Sequence, residues 1–359
     1  MPTIDSTFPA RPLSHGRPGV ERIGILTGGG DCPGLNAAIR AVVRSAIGRS
    51  GCRVIGFEDG WRGVAEGAAR ELDRDAVQGI LFRGGTILGS SGFNPYLEGG
   101  IEAVREELER LDGLVAIGGD GTLGVAARLA EEGFRVLGIP KTIDNDLAGT
   151  DRCIGFATAV QVATDAIDRL HTTAESHDRL MLVEVMGRSS GWIAVEAGIA
   201  GGADAILIPE RPFDLDEVAE HLRNRHRRGR SFSIVVVAEG AVPVEGTLEL
   251  PPPELDRRGF PRYGGIAHRI APELEQRCGY EARVTVLGHV QRGGTPVAED
   301  RILATRFGEA AVDLAAAGRW GRMVGLRGGA IEDAPLAEAA RLRPVPEELY
   351  RVAEVFFDR

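Results

Sequence analysis

Residues 140–146, Pro-Lys-Thr-Ile-Asp-Asn-Asp, contain the side chains whose types and spacing most plainly suggest chemistry. Lys141 is the only lysine among the 42 lysines and arginines of this 359-residue chain. Lysine presents a compact point charge and arginine a planar fork, so a lysine beside two carboxylates indicates either a need for a point charge or chance placement. Asp144 and Asp146 are two residues apart. One could orient or deprotonate a hydroxyl while the other helps to order a metal ion or its waters.

Two glycine-rich segments, 28–36 and 118–122, each follow an apolar run and precede a helical pattern. The N–H groups of such a loop can converge on an anion, and the next helix presents its positive end. Asp120 lies between glycines, where its carboxylate can reach a metal ion that bridges phosphates, and Gly121 leaves open space beyond it. Pro33 occupies the third glycine position of a dinucleotide fingerprint, which excludes that motif. Together with residues 140–146, these segments suggest phosphoryl transfer.

The single lysine also excludes other chemistry. A Walker A loop needs Gly-Lys-Ser/Thr and a protein-kinase fold needs a strand lysine, and Lys141, between Pro140 and Thr142, fits neither. A Schiff-base enzyme would have to use Lys141. Its flanking acids are expected to raise the pKa of this amine, which is the wrong direction for a nucleophile.

Cationic side chains near predicted strand ends of the second half could bind a phosphate ester; they are Arg179, Arg188, Arg283, His289 and Arg292. For each arginine a surface salt bridge is the alternative, and His289 could equally be a structural histidine. Glu239 closes an apolar run and could accept hydrogen bonds from sugar hydroxyls, or it is an exposed loop acid. The second half therefore offers candidates for a phosphorylated substrate.

The elements that position these residues are short apolar runs alternating with helical patterns such as Leu35–Ile47 and Asp214–Arg228. The predicted strands are 23–27, 54–57, 114–117, 136–139, 180–185, 205–208, 234–238 and 284–287. Apolar strands between helices indicate parallel sheets covered on both faces, and hence an α/β fold with right-handed βαβ units. Ligands bind at the carboxyl ends of such strands, where the glycine turns lie.

Composition narrows the function further. The net charge of −10 argues against binding to nucleic acid or an anionic membrane. No apolar run approaches the 18 residues of a transmembrane helix. The four cysteines have neither Cys-x-x-Cys nor zinc spacing, so they are interpreted as reduced thiols of a cytoplasmic protein.

Three segments have no role assigned by these patterns. Residues 1–20 are predicted to be a flexible tail, and residues 241–264, with their proline triplet, an inserted surface loop. The basic run 223–230 is either a solvated helix end or a contact for an anion or another subunit.

Five runs occur in the order found in 6-phosphofructokinases: Gly29–Arg40, Gly118–Thr122, Pro140–Asp146, Val183–Arg188 and Leu287–Gly294. The chain resembles this family from about residue 22 to 325. The resemblance implies two Rossmann-like, three-layer αβα lobes with mostly parallel sheets and an active-site cleft between them. Residues 21–155 plus about 292–342 would form the donor and Mg²⁺ lobe. Residues 156–291 plus the C-terminal segment would bind fructose 6-phosphate.

The resemblance also implies transfer of a phosphoryl group from ATP to the 1-hydroxyl of fructose 6-phosphate. It implies Asp144 as the base and Asp120 as the ligand of Mg²⁺. Thr142, Asp146, Arg188 and Lys141 would act on the transferring group. The donor would meet Gly30, Gly92, Phe93, Gly119, Asp120, Gly121 and Thr122. The sugar phosphate would meet Thr142, Ile143, Asp144, Met186, Gly187, Arg188, Glu239, His289, Val290, Gln291 and Arg292. Arg179 and Arg283 would come from a neighbouring subunit of a homo-oligomer, a tetramer or a dimer.

Two positions depart from a single pattern. Gly121 resembles ATP-using members, since pyrophosphate users have an aspartate that fills the space of the α-phosphate, whereas Lys141 resembles the pyrophosphate users. We weigh Gly121 more heavily, because an added carboxylate obstructs ATP and an added lysine only attracts it. Gly92 stands where the family usually has an arginine on the donor phosphates.

Other classes of protein remain as alternatives. A pyrophosphate-dependent phosphotransferase is the nearest, and a noncatalytic nucleotide-binding regulator is more remote, because Asp120, Asp144 and Arg188 are intact. NAD kinases and lipid kinases share Gly-Gly-Asp-Gly-Thr, but neither explains Pro140–Asp146 or Leu287–Gly294.

Overall fold

The computed structural model of the protein describes residues 20–248, 264–355 and 357. Residues 1–19 of the predicted tail and 249–263 of the predicted inserted loop lie outside the described residues. Within the described ranges, no helix combines the length and the apolar character needed to cross a bilayer.

The first sheet has seven strands in the described part of the chain: β1 (Arg22–Thr27), β2 (Arg53–Phe57), β3 (Ala69–Leu72), β4 (Gly113–Gly118), β5 (Val136–Pro140), β10 (Arg322–Arg327) and β11 (Ala330–Pro335). Their order is β11-β10-β5-β4-β1-β2-β3. The strands from β10 to β2 pair in parallel, and β11 and β3 join the two edges in antiparallel pairs.

The second sheet comprises four strands among the described residues: β6 (Leu180–Val185), β7 (Ala205–Leu207), β8 (Ser233–Ala238) and β9 (Ala282–Val286). Their order is β7-β8-β6-β9, and every pair is parallel.

Helices connect and cover these strands: α1 (Leu35–Ser50), α2 (Trp61–Glu66), α3 (Pro95–Glu98), α4 (Ile101–Glu109), α5 (Asp120–Glu131), α6 (Phe156–His177), α7 (Trp192–Ala200), α8 (Leu215–Arg227), α9 (Ile266–Cys278), α10 (Ala298–Ala316) and α11 (Glu347–Glu354). Short 3-10 helices span Gly288–Arg292 and Leu336–Ala340.

Both faces of each sheet are buried. In β4, Val115 and Ile117 belong to the core formed with α1 and α10, whereas Leu114 and Ala116 belong to the core formed with α4 and α5. In β6, alternate residues likewise divide between a core with α6 and α7 and a core with α8 and α9. Burial on both faces explains why these strands are continuous apolar runs in the sequence. The predicted α/β fold with two three-layer lobes is confirmed.

The prediction missed strands at the edges of the first sheet. β3 is Ala-Arg-Glu-Leu with three of its four residues exposed, so it has no apolar run to reveal it. β10 and β11 form a hairpin through Gly328 and Gly329, both with positive φ, and this Gly-Gly turn was a usable signal. β9 begins at Ala282, two residues before the predicted start, because an exposed edge strand alternates weakly in polarity.

Candidate active site

The loops that follow β1, β4 and β5 meet at one edge of the first sheet, because these neighbouring parallel strands all end there. Gly28 N donates to Ile117 O at 3.0 Å, and Lys141 N donates to Gly118 O at 3.0 Å. Backbone hydrogen bonds therefore tie the two glycine segments and residues 141–146 into one surface, as their positions after predicted strands suggested.

Lys141 lies beneath residues 28–36, which we call the glycine loop, and only 2% of its surface is exposed. Its Nζ donates to Gly28 O at 2.9 Å and to Gly30 O at 2.5 Å. Burial lowers the pKa of Lys141, and this outweighs the opposite influence of Asp31 and Asp120. Neighbouring acids do raise this pKa, as expected, but the net direction is downward because desolvation of the ammonium is the larger effect.

Residues 89–93 lie against the glycine loop. Gly29 N donates to Ser91 O at 2.9 Å, and Ser90 Oγ donates to Gly29 O at 2.5 Å. Gly92, which is exposed, and the half-buried Phe93 follow directly. The position at which the family usually has an arginine is therefore next to the loop expected to meet the donor phosphates.

Thr122 and Gly121 differ sharply in their surroundings. A methyl group on Gly28 would come within 2.5 Å of Thr122 Oγ1, and one on Gly118 within 2.3 Å of Thr122 Cβ. Thr122 is 5% exposed, so its side chain fills the space between two loops, and the donor contact predicted for it would have to come from its backbone. A methyl group on Gly121 would meet no described atom within 4 Å, and one on Gly119 would lie 3.5 Å from Lys141 O and 3.9 Å from Thr142 Cβ.

The three acids of the prediction influence one another electrostatically. Burial raises the pKa of Asp144, Asp120 raises it further, and Arg292 and Arg188 oppose the shift. Burial, Asp144 and Asp120 together raise the pKa of Asp146 to about 7. Asp144 Oδ1 is buried, and no group in the described part of the chain hydrogen-bonds to it. A buried carboxylate oxygen without a partner is costly, so it marks a place for an incoming donor such as a hydroxyl.

Hydrogen bonds from neighbouring segments fix the backbone between the two aspartates. Asn145 has φ 52°, a left-handed conformation that is uncommon outside glycine. Its buried side chain accepts from Cys153 N at 2.9 Å and donates to Asp151 O at 3.2 Å, while Ser190 Oγ donates to Asp144 O at 3.1 Å. Neither Asn145 nor Ser190 was predicted as a site residue, although an asparagine between two aspartates is compatible with a left-handed turn.

Thr142 and Ile143 complete this loop. Thr142 Oγ1 accepts from Asp144 N at 3.1 Å, which orients the backbone of the predicted base. Ile143 is fully buried, backbone included, so the substrate contact predicted for it stays a prediction.

The site fits a metal ion only in company with a phosphorylated ligand. No group of three His, Cys, Asp or Glu within the described ranges could hold a metal ion by itself. Asp120 is exposed at the start of α5, beside the glycine loop. Mg²⁺ keeps several waters and commonly binds one or two carboxylates together with substrate phosphates. Asp120 therefore suits a Mg²⁺ that arrives with its donor.

Met186, Gly187 and Glu239 form the facing part of the cleft at the carboxyl ends of β6 and β8. Glu239 N donates to Val185 O at 2.9 Å, and Gly187, with φ 142°, approaches Ser190 O. Burial, reinforced by the charge of Asp144, raises the pKa of Glu239 to about 7. The turn after β6 also contacts the loop of Asp144 directly, since Ser190 Oγ donates to Asp144 O at 3.1 Å.

The turn after β9 contributes exposed and buried residues. His289 and Val290 are exposed, and Val290 is 67% accessible. Gln291 is fully buried: its Oε1 accepts from Met186 N at 3.3 Å, and its Nε2 donates to Gly288 O at 3.1 Å. Its side chain therefore joins the turns after β6 and β9.

Arg292 crosses the cleft towards the glycine loop. Its Nη1 donates to Asp31 O at 3.3 Å, and a methyl group on Gly30 would come within 2.6 Å of the same atom. The guanidinium also opposes the raised pKa of Asp144. Arg292 was predicted to bind the sugar phosphate. Here it lies between the glycine loop and residues 141–146, which we call the acidic loop. Arg188 is exposed and also acts electrostatically on Asp144.

Arg179 and Arg283 lie at the opposite end of the second sheet. Arg179 precedes β6, and Arg283 is the second residue of β9 and is paired with Met181, so about 17–23 Å of strand, at about 3.3 Å per residue, separates them from Met186. Both pair with Glu281, Arg179 Nε at 2.8 Å from Oε2. They therefore lie away from the ligand-facing edge of their own chain. Their contribution from a neighbouring subunit stays a prediction.

Comparison with known proteins identifies the family. A profile described as phosphofructokinase matches residues 22–315. Because that match covers most of the sequence, the chain belongs to the phosphofructokinase family, and it is a phosphofructokinase-type enzyme. The family predicted from the sequence is confirmed.

Individual relatives divide between two donors. The chain is 57% identical, over 94% of its length and 99% of the relative's, to a pyrophosphate–fructose 6-phosphate 1-phosphotransferase of Amycolatopsis methanolica. It is 54% identical, over 93% of its length and 99% of the relative's, to ATP-dependent 6-phosphofructokinase 3 of Streptomyces coelicolor. Its fold matches a pyrophosphate-dependent phosphofructokinase from Marinobacter aquaeolei with a TM-score of 0.76 and 25% identity, covering 92% of this chain and 86% of that one.

Proposed function

We propose that the protein phosphorylates fructose 6-phosphate at its 1-hydroxyl, with ATP as the donor and Mg²⁺ as the metal ion. The observation that carries the proposal is the buried Oδ1 of Asp144, which is left without a partner within the described residues. It lies on a loop next to the glycine loop and opposite Met186 and Glu239. A sugar hydroxyl entering the cleft would supply the missing hydrogen bond.

In the proposed reaction, Asp144 accepts the proton of the 1-hydroxyl while the hydroxyl oxygen of the sugar bonds to the γ-phosphorus of ATP. The bond between the γ-phosphorus and the bridging oxygen breaks, and ADP leaves. Thr142, Asp146 and Arg188 steady the transferring group. Mg²⁺, on Asp120, would neutralise charge on the donor phosphates. Burial raises the pKa of Asp144, which makes its carboxylate a stronger base.

The surroundings of Gly121 and Lys141 favour ATP. The space beyond Gly121 is open, so nothing described there blocks the α-phosphate of a nucleotide. The ammonium of Lys141 already donates to two loop carbonyls, so it serves the loop whichever donor binds. The mark of a pyrophosphate user at position 141 therefore carries little weight for donor choice.

Pyrophosphate is the alternative donor. It is favoured by the name of the Amycolatopsis relative and by Gly92, which deprives a longer donor of the arginine usual in the family.

Further parts of the proposal follow the resemblance. Residues 21–155 plus about 292–342 would bind donor and Mg²⁺, and 156–291 plus the C-terminal segment would bind the sugar phosphate. A homo-oligomer would bring Arg179 and Arg283 of one subunit to the site of the next. The enzyme would work in the cytoplasm as part of glycolysis.

The test is an assay of the purified full chain with fructose 6-phosphate and Mg²⁺, comparing ATP with pyrophosphate. We expect turnover with ATP, and loss of about three orders of magnitude in kcat for Asp144→Asn, since general-base catalysis contributes about 10²–10⁴. Gly121→Asp should lower kcat/KM for ATP and spare pyrophosphate. Turnover with pyrophosphate but not with ATP would contradict the choice of ATP as donor. Full activity of Asp144→Asn would contradict the role of Asp144 as the base.

A further inference from the structure

A C-terminal segment beyond the family match runs alongside the acidic loop. Leu342 pairs with Leu147 in an antiparallel bridge, and Ala148 N donates to Arg341 O at 3.0 Å. Arg343 N donates to Asp146 O at 2.7 Å. We call residues 341–345 the C-terminal strap. It pairs through this isolated bridge directly after the two aspartates, although the family profile ends at residue 315.

The strap is anchored at both ends. Before it, the 3-10 helix Leu336–Ala340 is buried against α5, and Leu336 N donates to Gly321 O at 3.0 Å in the first lobe. At its far end, Val345 N donates to Glu210 Oε1 at 3.0 Å. In the following helix α11, Tyr350 Oη donates to Ile206 O, in the second sheet, at 2.7 Å. The strap therefore passes from one lobe to the other across the acidic loop.

Arg343 is the side chain of the strap that reaches the loop itself. Its Nη1 donates to Asn145 O at 3.2 Å, and its guanidinium stacks over the ring of Trp192, 4.2 Å from the centroid. Trp192 Nε1 donates back to Arg343 O at 2.9 Å. Tryptophan thus fixes both the backbone and the side chain of this arginine, and a planar guanidinium can stack and donate at once, as lysine cannot.

We propose that Arg343 is a positioning residue for phosphoryl transfer. The side chain of Arg343 holds the carbonyl of Asn145, whose backbone is left-handed, and the backbone N–H of Arg343 holds the carbonyl of Asp146. These two contacts set the directions in which Asp144 and Asp146 point. The inference rests on the proposed function, in which Asp144 is the base. Displacement of a reacting group by about 1 Å can cost about a hundredfold in rate.

The test compares Arg343→Met and Arg343→Lys with Arg341→Met as the matched control. Arg341 is two residues away in the same strap, and its side chain is exposed. For Arg343→Met we expect kcat per folded site to fall at least about tenfold, with KM for fructose 6-phosphate changed less than about twofold. Arg343→Lys keeps the charge and one donor and should recover part of the loss. Arg341→Met should match the wild type.

The outcomes separate the strap from the proposed function. A wild-type kcat in Arg343→Met, or an equal loss in Arg341→Met, overturns the role of Arg343, as does a loss explained entirely by a smaller folded fraction. If Arg343→Met does not fold, Arg343→Lys decides: unchanged kcat overturns the role, and a lower kcat at unchanged KM supports it. Failure of the proposed function appears elsewhere, as an inactive wild type or a fully active Asp144→Asn.

Discussion

Replacing Lys141 by methionine keeps most of its volume but removes the ammonium that holds the glycine loop. Two charge-assisted hydrogen bonds are lost, to Gly28 O and Gly30 O, each worth about 1.5–3 kcal/mol before the unfavourable burial of the charge is subtracted. Gly28 is buried and Gly30 exposed, so water can replace only the second bond. We therefore expect the free energy that stabilises the ordered loop to fall by about 2–3 kcal/mol.

That loss corresponds to a rise of about 30- to 150-fold in KM for the donor, at about 1.4 kcal/mol per tenfold change. Because the lysine supports the loop and not one particular donor, ATP and pyrophosphate should suffer to a similar degree. Steady-state kinetics with each donor at saturating fructose 6-phosphate measure this. Gly121→Asp is the contrasting variant, which should penalise ATP alone. A loss confined to pyrophosphate in Lys141→Met would refute the reasoning and indicate direct contact of Lys141 with the transferring group.

Further predictions concern donor binding and stability. Gly92→Arg should raise kcat/KM for ATP, because a guanidinium beside the glycine loop adds charge-assisted hydrogen bonds; an unchanged value would contradict this. Gly155→Ala should lower the free energy of unfolding by about 2–4 kcal/mol in denaturant titration, since its methyl would lie 2.4 Å from Cys32 Sγ at φ 97°; a loss below about 0.5 kcal/mol would argue against it. Burial raises the pKa of Asp300 to about 6 from an ordinary 3.8, so the folded state binds its proton more tightly and stability from this group falls as pH rises from about 4 to 6. Thermal melts should show a flatter profile over that range for Asp300→Asn, and parallel profiles would refute the assignment.

The central strands could be predicted from sequence because each is buried on both faces and therefore appears as an unbroken apolar run. The elements that were missed lack that signal. In β3, Arg70 and Glu71 are exposed and only Leu72 is buried, so nothing distinguishes its four residues from a loop. β3 is held in the sheet by antiparallel pairing with β2, and the polarity of its own four residues does not record that pairing.

The site could be predicted to the level of loops but not of contacts. Strand ends and glycine turns placed residues 28–36, 118–122 and 140–146 together correctly. The burial of Lys141 was not visible, because the sequence shows its acidic neighbours but not the carbonyls of a loop more than a hundred residues away. Arg343 was missed for the same reason: its partners Asn145 and Trp192 are separated from it by about 150 to 200 positions.

The isolation of Lys141 gives the protein a built-in reporter. An endoproteinase specific for lysine has a single cleavage point in the whole sequence, and that point lies under the glycine loop with 2% of its surface accessible. Cutting the native chain would yield the fragments 1–141 and 142–359, and only while the loop has lifted away. The rate at which these two fragments appear would therefore measure how often the donor side of the cleft opens.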